Sequence, residues 1–171
     1  MRNGLIILLG VAVIFTACSK SQKVDELKSY PLDSVDGVID QSNVTFDPSV
    51  SFDGKGSLRI DAKGDITVPL FEVSGLSVDE AVIFYQAKIK TEKIFGQVYL
   101  EMWCHFAGKG EYFSRSQNML MSGTNDWRTQ ETPFILQKGE VPDLFKLNLV
   151  VIGTGTAWID DIKLLKGPLP K

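Results

Sequence analysis

Apolar positions along the chain fall into two regimes. Residues 5–15 (LIILLGVAVIF) form one unbroken apolar run, whereas beyond about Asp36 apolar and polar residues alternate in short stretches. Those stretches predict strands at about 37–46, 50–53, 57–62, 65–72, 81–90, 97–106, 111–121, 127–137, 144–152 and 156–165. The breaks between them carry turn residues, among them Asp53-Gly54-Lys55-Gly56, Gly108-Lys109-Gly110 and Gly153-Thr154-Gly155. No stretch after Asp36 keeps helical spacing of apolar residues over ten positions. Many short strands without helices predict an all-β, antiparallel chain, either a two-sheet sandwich or a barrel.

The N-terminal run is too short to span a bilayer, which takes about 18 residues. Preceded by Arg2 and followed by the polar Ser19-Lys20-Ser21-Gln22-Lys23, it has the make-up of a secretory signal. Phe15-Thr16-Ala17-Cys18 resembles the lipobox of bacterial lipoproteins, although Phe15 stands where Leu is usual. The resemblance implies cleavage after Ala17, acylation of Cys18 and membrane attachment of everything that follows. Two or more acyl chains hold a protein stably, where one does so only marginally. The expected location is the cell envelope, and the outer membrane in a Gram-negative bacterium, because Ser rather than Asp follows Cys18. Residues 18–36 then read as a polar tether, with one helical turn around Val24–Leu27, residues 37–166 as the sandwich and 167–171 as a tail.

Charge narrows the partners. The whole chain carries 18 basic and 21 acidic side chains. Loss of Arg2 with the leader leaves 17 against 21, a net of −4. No basic run of five occurs, so there is no nucleic-acid footprint. With Cys18 acylated, Cys104 is the one remaining thiol; an internal disulfide is excluded, and its apolar neighbours mark it as a core residue.

Three segments bear a further resemblance. Ser51–Ile60 (SFDGKGSLRI), Ser122–Arg128 (SGTNDWR) with Thr132-Pro133-Phe134, and Gly155–Leu164 (GTAWIDDIKL) are similar, in order, to the hairpin, "dW…pF" stretch and last strand of carbohydrate-binding jelly rolls. These belong to the galactose-binding-domain-like superfamily. The resemblance covers roughly residues 50–166 and implies a jelly-roll sandwich with a glycan ligand. It also implies a structural calcium near Asp160 and Asp161. The Glu that accompanies such an ion near the first strand is missing, leaving Asp36, Asp40 or Asp47 as replacements. Trp127, after the Asn125-Asp126 turn, reads as a structural plug at one end of the sandwich.

Strand 97–106 is the most informative about a site. Period-two alternation turns Val98, Leu100, Met102, Cys104 and Phe106 to the core and Gln97, Tyr99, Glu101, Trp103 and His105 outward. Three ring-bearing residues on a face that need only be polar exceed what solubility requires. Gln86 and Lys88 from the strand before, with Lys146 and Asn148 from 144–152, are expected on the same face. Strand 111–121 adds either Phe113, Arg115 and Gln117 or Tyr112, Ser114 and Ser116. Tyr99, Glu101, Trp103, His105, Gln86, Lys88 and Asn148 are therefore the candidate ligand-binding residues: rings to stack on a pyranose and polar groups for its hydroxyls. The alternative is that a loop or the tether covers this face.

Catalysis finds no support. Cys104 and His105 point to opposite faces, so they share neither a metal nor a nucleophile–base pair. Glu101 has no evident second acid of the kind a glycosidase needs, Glu111 and Glu131 being the ones to examine. The sequence thus points to a non-catalytic, lipid-anchored binding module for carbohydrate or another small polar ligand. The competing reading is an assembly lipoprotein that docks an envelope protein on the same face.

Overall fold

In the computed structural model, the described residues are 24–170. The expected leader and the Cys18 acylation site lie outside them. Eight strands follow in order: β1 (Asp25–Tyr30), β2 (Thr45–Asp47), β3 (Ser57–Lys63), β4 (Ile66–Ser74), β5 (Ala81–Phe106), β6 (Gly110–Arg115), β7 (Met121–Leu136) and β8 (Leu144–Gly167). All pairings are antiparallel.

β5 and β8 organise the architecture. They pair from Val82–Gly167 to His105–Leu144, with a register shift between Glu92 and Phe95. There the inward face of β5 changes parity. Ile83, Tyr85, Ala87 and Ile89 are buried before the shift, and Val98, Leu100, Met102 and Cys104 after it. The two strands fold over together at this corner, where Gly96 pairs with Gly153. A Cβ on Gly96 would lie 1.9 Å from the Ile152 carbonyl oxygen, and one on Gly153 1.9 Å from that of Phe95. Both have positive φ, +134° and +92°, so glycine is required twice over. Without those two missing side chains the backbones could not approach closely enough to fold.

The fold-over gives a jelly-roll β-sandwich. One layer holds β4, the N-terminal half of β8, the C-terminal half of β5, and β6. The other holds β7, the N-terminal half of β5 and the C-terminal half of β8, then β3 and β2, with β1 also along β8. A single apolar cluster fills the space between them. Cys104 belongs to it, and burial pushes its thiol up to about 12.

Several sequence expectations change. The helical turn at Val24–Leu27 and the tether up to Asp36 give way to β1, which is part of the sheet. Leu27 and Tyr30 pack on the core, and Tyr30 stacks on Phe71 at 3.7 Å between centroids. A register shift between Glu26 and Lys28 hides the alternation that would have revealed this strand. The stretch 37–46 is mostly a loop, although Ile39 N–H donates to Leu70 O and Asp40 N–H to Pro69 O along the edge of β4. Residues 50–53 form a loop folded onto the outer face of the β7-containing layer, where Phe52 N–H donates to Asp160.

Candidate functional site

The outward side chains of the β4–β8–β5–β6 layer come together in rows set by the register. Trp103 lies between Lys146 and Phe113, Glu101 between Asn148 and Arg115, and His105 between Leu144 and Glu111. This fixes the face of β6 that the sequence left open: Phe113 and Arg115 turn outward beside the β5 candidates.

Glu101 is the centre of the arrangement. It is only 4 % exposed, and its carboxylate accepts from three side chains. Trp103 Nε1 and Asn148 Nδ2 donate to Oε1 at 2.8 and 3.2 Å, and Arg115 Nε donates to Oε2 at 2.7 Å. A buried charge is tolerable only when paired and hydrogen-bonded in this way. The expectation that Glu101 contacts ligand is therefore modified: its oxygens are already engaged, and it holds the groups around it. Arg115, its guanidinium raised further by the hydrogen bond to Glu101, lies 4.5 Å from the Phe113 ring centroid and 6.0 Å from that of Tyr99. The Trp103 and Phe113 rings meet at 5.0 Å with a 46° tilt.

Beside this cluster runs an open cleft of about 350 Å³, lined by Ile39, Pro69, Glu72, Trp103, Glu111 and Lys146 among others. Lys146 Nζ donates to Glu111, which raises the lysine above its ordinary range. At the neighbouring position His105 Nδ1 lies 2.6 Å from Asp143, whose carboxyl this contact lowers. Trp103 is half-buried and Phe113 exposed, so no loop among the described residues covers this face. Sequence reasoning missed Ile39, Pro69 and Glu72 as walls of the cleft. Ile39 carried no signal because it pairs with β4 through its backbone alone.

Gln86 and Lys88 do not join the cluster. They precede the corner, so the fold-over carries them to the outer face of the other layer. There Gln86 Nε2 donates to Glu131 at 2.9 Å and Lys88 Nζ to Thr129 at 2.6 Å. Trp127 is also on that face, 6.2 Å from Phe52 and roughly perpendicular to it, rather than plugging an end of the sandwich. The acids considered as partners for Glu101 are engaged elsewhere: Glu111 with Lys146, and Glu131 with Gln86.

The residues at the expected calcium position are engaged in hydrogen bonds and ion pairs of their own. Asp160 is fully buried; its Oδ2 accepts the Phe52 N–H and its Oδ1 the Asp161 N–H, while burial raises its carboxyl above the usual range. Asp161 turns to Lys163 at 3.0 Å. Asp40 binds Ser42 and Asn43, and Asp47 binds Ser49 and Trp158. No cluster of three or more His, Cys, Asp or Glu side chains forms among the described residues, whereas calcium takes six to eight oxygens.

No family model matches the sequence, and no curated protein matches it. The fold, in contrast, has clear counterparts. The chain is similar to the CBM22-1 xylan-binding domain from Paenibacillus barcinonensis, with a TM-score of 0.60 and 11 % identity, over 88 % of this chain and 99 % of that one. It is also similar to a family 16 carbohydrate-binding module, with a TM-score of 0.55 and 13 % identity, over 76 % and 91 % of the two chains. A further xylan-binding domain of family 22 gives 0.54 and 11 %, over 86 % and 98 %. At these identities the likeness establishes the architecture, which is that of the carbohydrate-binding-module β-sandwich.

Proposed function

We propose that this chain is a non-catalytic, lipid-anchored module of the bacterial cell envelope that binds carbohydrate in the cleft beside Trp103. The observation that carries the reading is the Glu101-centred cluster. It holds Trp103 and Asn148 in the wall of an open cleft, with the tilted Phe113 ring and Arg115 packed beside them on the same carboxylate-centred cluster. Flat apolar walls with a few fixed polar groups suit a pyranose, whose faces are apolar and whose rim is hydroxylated. The pairing of Lys146 and Arg115 with acids favours an uncharged or weakly charged sugar. The neighbours named as xylan-binding or carbohydrate-binding modules share this architecture, which adds weight to that ligand class.

Anchoring is proposed from the lipobox-like Phe15-Thr16-Ala17-Cys18. An acyl anchor would relieve the domain of inserting into the membrane and leave the cleft open to soluble or cell-wall glycan. Two assays test the two halves. On a glycan array the purified protein should retain a defined group of polysaccharides; retention of none, with capture of an envelope protein through the Trp103 face, would replace the reading with the assembly role. Globomycin should leave the unprocessed form in cells, and unchanged mobility would refute acylation of Cys18.

A further inference from the structure

The sheet register shows where an anchored chain joins the fold. Asp25 pairs with Lys166, Lys166 with Ile83, and Ile83 with Phe134; in the next row Gly167 pairs with Val82, and Val82 with Ile135. The first residue of β1 is thus three strands, or about 14 Å, from Phe134 at the same end of the sandwich. That end carries an exposed apolar patch. A hollow of about 140 Å³ is lined by Phe106, Lys109, Tyr112, Phe134, Ile135 and Glu140. Tyr112 is 52 % exposed and Ile135 48 %, and Val141, in the adjoining loop between β7 and β8, is 48 % exposed.

We infer that this end of the sandwich rests on the lipid bilayer, with Tyr112, Ile135 and Val141 as the contacting side chains. The inference depends on the proposed acylation of Cys18. Six residues separate Cys18 from Asp25, and the seven steps between them span at most about 25 Å. An acylated chain therefore holds this end close to the headgroups. The opposite end, at the Gly96–Gly153 corner, lies the C-terminal part of β8 further away, about 45 Å for the fourteen steps from Gly153 to Gly167. Phe95 at that corner is 77 % exposed, more than any of the three contact residues, yet it is held away from the membrane.

The contact is apolar rather than electrostatic. Lys109 lines the hollow and Lys138 and Lys166 are at the same end, but so are Asp79, Glu80, Glu140 and Asp143. Acids match or exceed the lysines, so anionic headgroups gain nothing. An isolated contact of this size would be weak, but a short tether raises its effective concentration to the millimolar range. A tyrosine suits the interface because its ring is apolar and its hydroxyl remains hydrated.

The test uses the full acylated protein in phosphatidylcholine vesicles. A polarity-sensitive fluorophore is attached through Ile135→Cys or, separately, Phe95→Cys; Cys104 is buried and unreactive. The expected result is blue-shifted, quencher-protected emission at position 135 and water-like emission at 95, unchanged when a third of the lipid is phosphatidylglycerol. Adding Tyr112→Ser and Val141→Ser should move the emission at 135 toward that at 95. Water-like emission at both positions, or an equal blue shift at both, overturns the inference. Failure of the anchor itself is distinguishable, because an unacylated protein does not float with the vesicles.

Discussion

The indole Nε1–H of Trp103 donates to Glu101 Oε1 at 2.8 Å, and that carboxylate is 4 % exposed. One buried acid thereby fixes the rotamer of Trp103, the proposed stacking residue, and, through Oε2 and Oε1, those of Arg115 and Asn148. The cleft wall is set before any ligand arrives, which saves the ordering cost that a loose aromatic would incur on binding.

Glu101→Gln separates this positioning role from mere bulk. The amide keeps the size but offers one acceptor oxygen and turns an NH₂ toward groups that are themselves donors. Hydrogen bonds to charged groups contribute about 1.5–3 kcal/mol each. A loss of about 2 kcal/mol, roughly 4–8 °C in Tm, is expected together with about tenfold weaker glycan binding. Calorimetry and affinity electrophoresis of the same preparation check both effects. Unchanged affinity at lowered Tm would make Glu101 a stabilising residue without influence on the cleft.

The corner makes a sharper stability prediction. In Gly153→Ala the new methyl meets the Phe95 carbonyl at 1.9 Å on a φ of +92°, and the obstacle is backbone, which does not yield cheaply. A loss of more than about 3 kcal/mol, or failure to accumulate folded protein, is expected. Gly54→Ala has the same φ, +92°, with nothing within 4 Å, so it should lose only about 1–2 kcal/mol. Chemical denaturation of the two variants compares steric crowding with backbone conformation alone; equal losses would contradict the crowding argument.

Asp47 supplies a pH dependence. Hydrogen bonds from Ser49, then from Trp158, lower its carboxyl from 3.8 to about 2. A depressed acid stabilises the fold above its unfolded pKa and loses that contribution as the pH falls through the folded one. The wild type should therefore lose stability between about pH 4 and pH 2. Asp47→Asn should show a shallower acid limb, by about 1 kcal/mol after allowing for solvent screening. Thermal melts from pH 2 to 6 decide the point, with parallel acid limbs as the contrary result. Emission from Trp158, whose indole loses a charged partner, provides a local readout.

Alternation sufficed to reveal the long central strands and their inward faces, though not β1 or the loops at 37–44 and 50–53: Val98, Leu100, Met102 and Cys104 are all buried as their spacing implies. What it does not carry is the layer to which an outward residue belongs. Gln86 and Glu101 are on one continuous strand and both point outward, yet a fold-over between them sends them to opposite sides of the molecule. The signal was present in Gly96, Gly153 and Gly155, but the pairing of Gly96 with Gly153 and the close approach of Gly155 to Lys93 are tertiary facts. The register of β6 is similar in kind. Phe113 and Tyr112 are equally good outward residues in sequence, and only the pairing of Trp103 with Phe113 chooses between them. Cross-strand partners such as Asn148 for Glu101 arise from strands 47 residues apart, a separation at which local pattern is silent.

The central claim is that glycan binds on the Trp103 face, and the two half-buried tryptophans on opposite layers test it directly. Affinity electrophoresis through a retained polysaccharide compares Trp103→Ala with Trp127→Ala, each verified as folded. The account predicts that Trp103→Ala migrates as though no polysaccharide were present, while Trp127→Ala is retarded like the wild type. Undiminished retardation of Trp103→Ala would contradict it.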